Sequence, residues 1–289
     1  MQNTRFPPKE GFIKIGSIAL YYKMLGKGKP VLVLHGGPGL NHTYFLPHME
    51  ILAHTCTLIF YDQRGCGKSS AVTNSQLTLS NYIEDIEGIR RAFHLEKLNI
   101  MGHSWGGLLA MYYSSEYCEN VNSLILVDPA PASSDLFSKY HENKLTRIRE
   151  EDRRTLEKIV YSEGFWNGNP RVIEDFFIVS ERVNFFNRTL SSKFSITFDE
   201  KEAKNVFTVN RLMGRYFVNY DIHEALSRIQ CPTLVIYGDY DSEPVEAGQK
   251  ICEHIKGSQL VILEKCGHYP FIESPEEFSR IVKDFLDKL

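Results

Sequence analysis

The chain has 289 residues, 43% of them hydrophobic, enough for one large domain or two small ones around a substantial core. Lysine plus arginine number 33 against 36 aspartates plus glutamates, a net charge of −3, which leaves no basic footprint for nucleic acid and no polybasic segment for an anionic membrane. The opening stretch "MQNTRFPPKEGF" lacks an apolar signal-peptide core and no apolar run reaches bilayer length, so a cytoplasmic location with neither membrane nor nucleic acid as partner is expected.

In chain order, "FIKIG" and "IALYYKML" are strand-like, and "GKGKP" is a turn into "VLVLH", which reads as a central buried strand. A Gly/Pro loop follows, then a helical segment near Tyr44–His54, the strand "CTLIFYD" and a second glycine loop. Next comes a helix near Ser80–His94 with Ile83, Ile86, Ile89 and Phe93 on one face. The strand "KLNIM" leads into "MGHSWGG" and a helix with Leu108, Leu109, Met111 and Tyr112, before the strand "VNSLILVD". From about Pro131 to Asn219 no strong strand run occurs, and the sequence is helical in character, charged at 141–158 and then aromatic. Alternation resumes with the strand "CPTLVIYGD", the helix "PVEAGQKICEHI" and the strand "SQLVILEKCGH". The last helix, "SPEEFSRIVKDFLDKL", carries a good amino-terminal cap in its "SPEE" start. Eight strands alternating with helices predict an α/β fold, a mostly parallel sheet covered on both faces and interrupted by a helical insertion. Six cysteines (Cys56, Cys66, Cys118, Cys231, Cys252 and Cys266) are scattered with no Cys-x-x-Cys pair, which predicts reduced, mostly buried thiols and neither disulfide framework nor metal.

The run Gly-x-Ser-x-Gly at Gly102–Gly106 fits a sharp strand-to-helix turn with Ser104 at a strained apex, where the flanking positions must be small. A serine nucleophile needs a base, and the base needs an orienting acid. Two later turns supply them: "DYDSE" offers Asp239, Asp241 and Glu243, and "CGHYPF" offers His268. Each candidate follows a strand end, where chemistry in open parallel sheets belongs. "HGGPG", residues 35–39, supplies a backbone free of bulk, so Gly37 and Trp105 amides are the candidate donors to an oxyanion. His35 and His103 are expected to be structural, as are Asp62 and Arg64 in "DQRGCGKS", bracing loops. Phe165, Trp166, Phe176, Phe177, Phe185 and Phe186 are expected mainly in a core, and the charged run at 141–158 on a solvated helix face.

"HGGPG", "YDQRGCGKS", "GHSWGG", "GDYD" and "GHYPF", in this order, resemble the proline iminopeptidase branch of the α/β-hydrolase superfamily over nearly the whole chain apart from the insertion. The resemblance implies an α/β-hydrolase core formed by 1–130 and 221–289, with 131–220 as a helical cap. It implies a Ser-His-Asp triad in which the family pattern Gly-x-x-Asp selects Asp241, with Ser104 and His268, and it implies no cofactor. The expected activity is removal of amino-terminal proline or another small residue from a short peptide, through an acyl-enzyme. A carboxylesterase or amidase acting on small-molecule acyl substrates without a free amine is the alternative, and a non-enzymatic binding module on the same fold is disfavoured by the intact machinery. The chain departs from the family where a substrate ammonium needs a carboxylate. Ser242 follows Asp241 where one group of relatives has glutamate, and Arg215 and Tyr216 stand in "LMGRYFVNYD" where a cap glutamate is expected. Arg215, Tyr216 and Glu243 are therefore the candidate substrate contacts, with Glu163 and Glu181 as further acids that could replace the anchor.

Overall fold

A computed structural model describes residues 9–289, so most of the opening stretch inspected for a leader lies outside the described residues. Eight strands form one sheet: β1 (Lys9–Ile15), β2 (Ile18–Gly26), β3 (Pro30–Leu34), β4 (Thr57–Tyr61), β5 (Leu98–His103), β6 (Val121–Val127), β7 (Thr233–Gly238) and β8 (Gln259–Leu263). Their order is β1-β2-β4-β3-β5-β6-β7-β8, antiparallel at β1/β2 and β2/β4 and parallel throughout the rest.

The apolar runs explain why the parallel strands lie inside. In β3, Val31 and Val33 face one core layer while Leu32 and Leu34 face the other, and β7 divides Leu234 and Ile236 from Val235 and Tyr237 in the same way. One layer is completed by α1 (Leu79–Ala92), with Ile83, Ile86 and Ile89 buried, and by α2 (Trp105–Glu116), which is buried nearly all round. The other is completed by Tyr44, Phe45, Met49 and Leu52 of the segment after β3. That segment is two 3-10 turns, His42–Phe45 and His48–His54, and not the continuous helix expected. Pro47 divides it, because the residue before a proline is pushed out of the helical region, and Leu46 is extended at φ −103°, ψ 142°.

Between β6 and β7 the described chain is helical: α3 (Phe137–Arg147), α4 (Glu150–Val160), α5 (Glu163–Trp166), α6 (Pro170–Ser180), α7 (Glu200–Gly214) and α8 (His223–Leu226). Its two ends meet in an isolated bridge between Ser133 and Asp221, reinforced by Ser134 N–H to the Tyr220 carbonyl and Ile222 N–H to that of Ala132. The charged run is not uniformly solvated: Asp152 is fully buried under Arg182 and Arg188, and Lys144 turns inward. The chain ends through α9 (Val245–His254), α10 (Pro270–Glu273) and α11 (Pro275–Leu286). Pro275 occupies the first turn of α11, but the Ser274 side chain does not cap it. All six cysteines are free thiols, four of them buried.

Candidate active site

β5 runs directly into α2, and Ser104 is the single residue between them, at φ 55° and ψ −124°. A side chain there is strained, and the packing around it admits no alternative route. A Cβ on Gly102 would lie 2.3 Å from the Gly106 carbonyl oxygen, and one on Gly106 would lie 2.3 Å from that of Leu34. The two glycines are therefore what allows β5, α2 and β3 to approach closely enough to hold Ser104 at the apex. The Ser104 carbonyl accepts from Gly107, Leu108 and Ala130 amides, so the turn is fixed by backbone alone.

Ser104 borders two cavities. The first, of about 340 Å³, includes His268, Asp241, Tyr140, Lys144, Glu181 and Glu243 in its lining. The second, of about 400 Å³, is walled by Trp105, Phe137, Phe217 and Val218 and shares Gly37, Pro38, Tyr140, Asn210 and Glu243 with the first. Both are within the size range of small-ligand sites.

Among the three acids after β7, Asp241 is the one that meets the histidine: His268 Nδ1 lies 2.8 Å from Asp241 Oδ2. Asp239 instead accepts from the Cys266 amide, and Glu243 lends its amide to Asp241 Oδ1 at 3.0 Å. The His268 backbone is also held, its N–H donating to the Asn184 carbonyl and its carbonyl lying 2.8 Å from His103 Nε2. Tyr44 hydroxyl takes the Gly36 N–H and lies 2.8 Å from His103 Nδ1, so one tyrosine and one histidine tie the "HGGPG" loop to the His268 loop. Burial, followed by the charge of His268, holds the His103 imidazole well below the ordinary histidine range. His35 is likewise pushed down to about 4 by burial, and bonds within its own loop and to the Gln63 amide. Neither the Gly37 nor the Trp105 amide has an acceptor among the described residues, which leaves both available to an incoming oxygen.

Asp128, at the end of β6, is an acid the sequence reading passed over. It is fully buried at φ 42°, takes the Gly238 N–H on Oδ1 at 2.8 Å, and has no conventional partner for Oδ2. One ligand atom each from Asp128, Asp241 and His268 all lie within 4.8 Å of one another. Two adjacent buried carboxyls cannot both carry charge, and desolvation, then the Asp241 charge, pushes Asp128 far above the ordinary carboxyl range. Of the two carboxyls, Asp128 is the one whose surroundings favour the protonated form. The available signal was its position, since it follows a strand end as Ser104 and Asp241 do.

Of the expected substrate contacts, only Glu243 lines a cavity. Its Oε2 is buried without a partner, and desolvation followed by the Asp241 charge raises its pKa well above the usual carboxyl value. Arg215 and Tyr216 are outside both cavities: the guanidinium donates to the Leu77 carbonyl at 3.0 Å and sits over the Tyr216 ring. Their position just after α7 points them at the β4–α1 side, away from both cavities where the sequence expected them to meet substrate. Glu163 is exposed. Glu181 lines the first cavity and accepts from Tyr269 hydroxyl at 2.7 Å and from Asn184. Burial pushes its carboxyl upward, but Lys144 and these hydrogen bonds more than reverse that and hold it below the ordinary range.

The remaining sequence candidates divide. Asp62 accepts from His42 and the Lys68 amide, and Arg64 pairs with Asp85 at 2.6 Å, so both brace loops away from the cavities. Phe176 and Phe177 line the first cavity, Phe165 packs against Phe207 behind it, Phe185 is buried, and Trp166 and Phe186 are exposed.

A family model described as "alpha/beta hydrolase fold" matches residues 29–275. A proline iminopeptidase of Saccharolobus solfataricus is 31% identical over 97% of this chain and 93% of its own length. Among solved structures, a proline iminopeptidase of Mycobacterium smegmatis superposes with a TM-score of 0.72 at 21% identity, covering 97% of this chain and 98% of its own. A thermophilic esterase from Thermogutta terrifontis superposes at 0.67 with 24% identity, covering 97% and 98%, and both structural likenesses speak to the fold alone.

Proposed function

The chain belongs to the α/β-hydrolase fold family and is a hydrolase, and from that premise we propose that it removes a free amino-terminal residue, proline or another small one, from short peptides. Ser104 attacks the acyl carbon, His268 takes its proton, and Asp241 Oδ2 holds the imidazole through Nδ1–H. The Gly37 and Trp105 amides bind the oxyanion, His268 returns the proton to the leaving nitrogen, and water then releases the acyl-enzyme. Ser104 Oγ has no hydrogen-bond partner among the described residues, so its contact with His268 is one that bound substrate must tighten. Residues 131–220 act as a cap, supplying Tyr140, Lys144, Phe176, Glu181 and Asn210 to the first cavity.

The observation that carries the aminopeptidase reading is Glu243. A buried carboxyl with an unpartnered oxygen, bordering both cavities beside Ser104, is costly unless a ligand compensates it, and a substrate ammonium does so. The test is hydrolysis of the aminomethylcoumarin amide of proline, its N-acetylated form and a short-chain p-nitrophenyl ester. The free-amine substrate is expected to lead by about tenfold or more in kcat/KM, the discrimination expected of a buried charge partner. Equal use of the blocked amide, or preference for the ester, would replace this reading with that of a carboxylesterase or amidase.

The raised pKa of Asp128 makes a separate expectation. Asp128→Asn keeps an uncharged polar group beside Asp241, so the acid limb of kcat/KM, where His268 loses catalytic competence by protonation, is expected to stay in place. Were Asp128 ionised in the native protein, removing its negative charge would destabilise the imidazolium and move that limb down by about one pH unit or more. A pH profile of the variant beside the native protein decides between them.

A further inference from the structure

Lys144 is a half-buried cation that the mechanism above does not use. It lies in the last turn of α3, lining the first cavity with Ser104 and His268. Its ammonium donates to the Tyr140 hydroxyl at 3.1 Å and sits 5.3 Å from the centre of that ring, and no carboxylate is within ion-pair distance of it among the described residues. An ammonium has three donors, so two remain for something else. Burial works against its charge, and Tyr140, Glu181 and Glu243 more than offset this, so it stays cationic above the ordinary lysine range. Glu181 is already occupied by Tyr269 and Asn184. A half-buried ammonium that faces a cavity with two donors free is suited to receive an anion.

The two cavities say which part of a substrate meets it. His268 lines only the first, and the leaving nitrogen must take its proton from His268, so the leaving group lies there. The second cavity, with Trp105, Phe137, Phe217 and Val218 and no cation, takes the acyl residue. Glu243 borders both, where the ammonium of that residue is held in the reading above. At about 340 Å³ the first cavity is at the small end of ligand sites, suited to a single leaving residue.

We propose that Lys144 binds the α-carboxylate of the departing amino acid, so that the preferred substrates are dipeptides with a free carboxyl terminus. The proposal rests on the aminopeptidase reading of the same site. Zwitterionic substrate is then held at both ends, by Glu243 at the ammonium and by Lys144 at the carboxylate, with the scissile carbonyl over Ser104. The specificity is for length and charge rather than for a side chain.

The experiment compares kcat/KM for prolyl-leucine and prolyl-leucinamide in the native protein, Lys144→Met and Lys144→Arg, with the aminomethylcoumarin amide of proline as a substrate lacking the carboxylate. Native protein is expected to favour the free acid by about tenfold or more through KM, Lys144→Met to bring the ratio to about one, and Lys144→Arg to retain a preference for the acid. Equal rates for acid and amide in the native protein overturn the proposal, as does a Lys144→Met variant that loses the same factor on both. If Lys144→Met does not fold, competition on the native protein decides: leucine must inhibit more tightly than leucinamide, and the reverse order overturns the proposal. Turnover of the free-amine substrates without an acid preference defeats the carboxylate site alone. Turnover of only the blocked ester defeats the aminopeptidase reading and this site with it.

Discussion

Replacing Ser104 by alanine is expected to lower kcat by about four to six orders of magnitude on any substrate the native protein turns over, since residues acting as one catalytic unit fail together. Adding His268→Ala to that variant should then cost little more. The fold should survive: alanine keeps a Cβ at φ 55°, so the strain at the apex is unchanged, and the three hydrogen bonds to the Ser104 carbonyl come from backbone amides. A melting temperature close to native, with the pre-steady-state burst of acyl-enzyme formation abolished, is the expected result. Activity within about tenfold of native would place the nucleophile elsewhere.

Glu243→Gln is expected to produce the second largest effect, and to direct it at one class of substrate. Removing a charge from a buried ion pair costs about 2–4 kcal/mol, roughly 30- to 700-fold in kcat/KM for the free-amine substrate. A p-nitrophenyl ester has no ammonium to lose, so the ratio of amine to ester turnover should collapse. The pH dependence supplies a second readout. Because desolvation, then the Asp241 charge, raises the Glu243 pKa, the free protein holds that carboxyl protonated to a higher pH than an exposed one. If Glu243 holds the substrate amine, capture by native protein is expected to strengthen as pH rises through that range and Glu243 ionises, and this component should vanish from the kcat/KM profile of Glu243→Gln. Equal losses on amine and ester substrates would assign Glu243 to the support of Asp241, whose Oδ1 takes its amide, and not to substrate.

Much of this protein is legible one segment at a time. The alternation of buried runs such as "VLVL" with amphipathic helices dictates a parallel sheet covered on both faces, and the period of each run is a local property of the backbone. The small residues around Ser104 fix the strand-to-helix turn for the same reason, because the clash of a Cβ with the neighbouring strand is set by geometry within a few residues and one strand across. The order of serine, acid loop and histidine along the chain follows from where the strands end.

What the tertiary structure alone decided is which side chains converge. Asp239, Asp241 and Glu243 occupy one loop, yet only Asp241 meets His268, while Glu243 turns to the cavities and Asp239 to a backbone amide. Arg215 was the plausible substrate contact in sequence, and it is spent on the Leu77 carbonyl. Lys144 looked like one charge on a solvated helix, and it faces Ser104 and His268 across a cavity. Burial, then the charge of Asp241 more than a hundred residues away in the chain, raises the Asp128 pKa. In each case the deciding quantity is the desolvation of a charge and the partner that compensates it, and both depend on residues remote in sequence that only folding brings within a few ångströms.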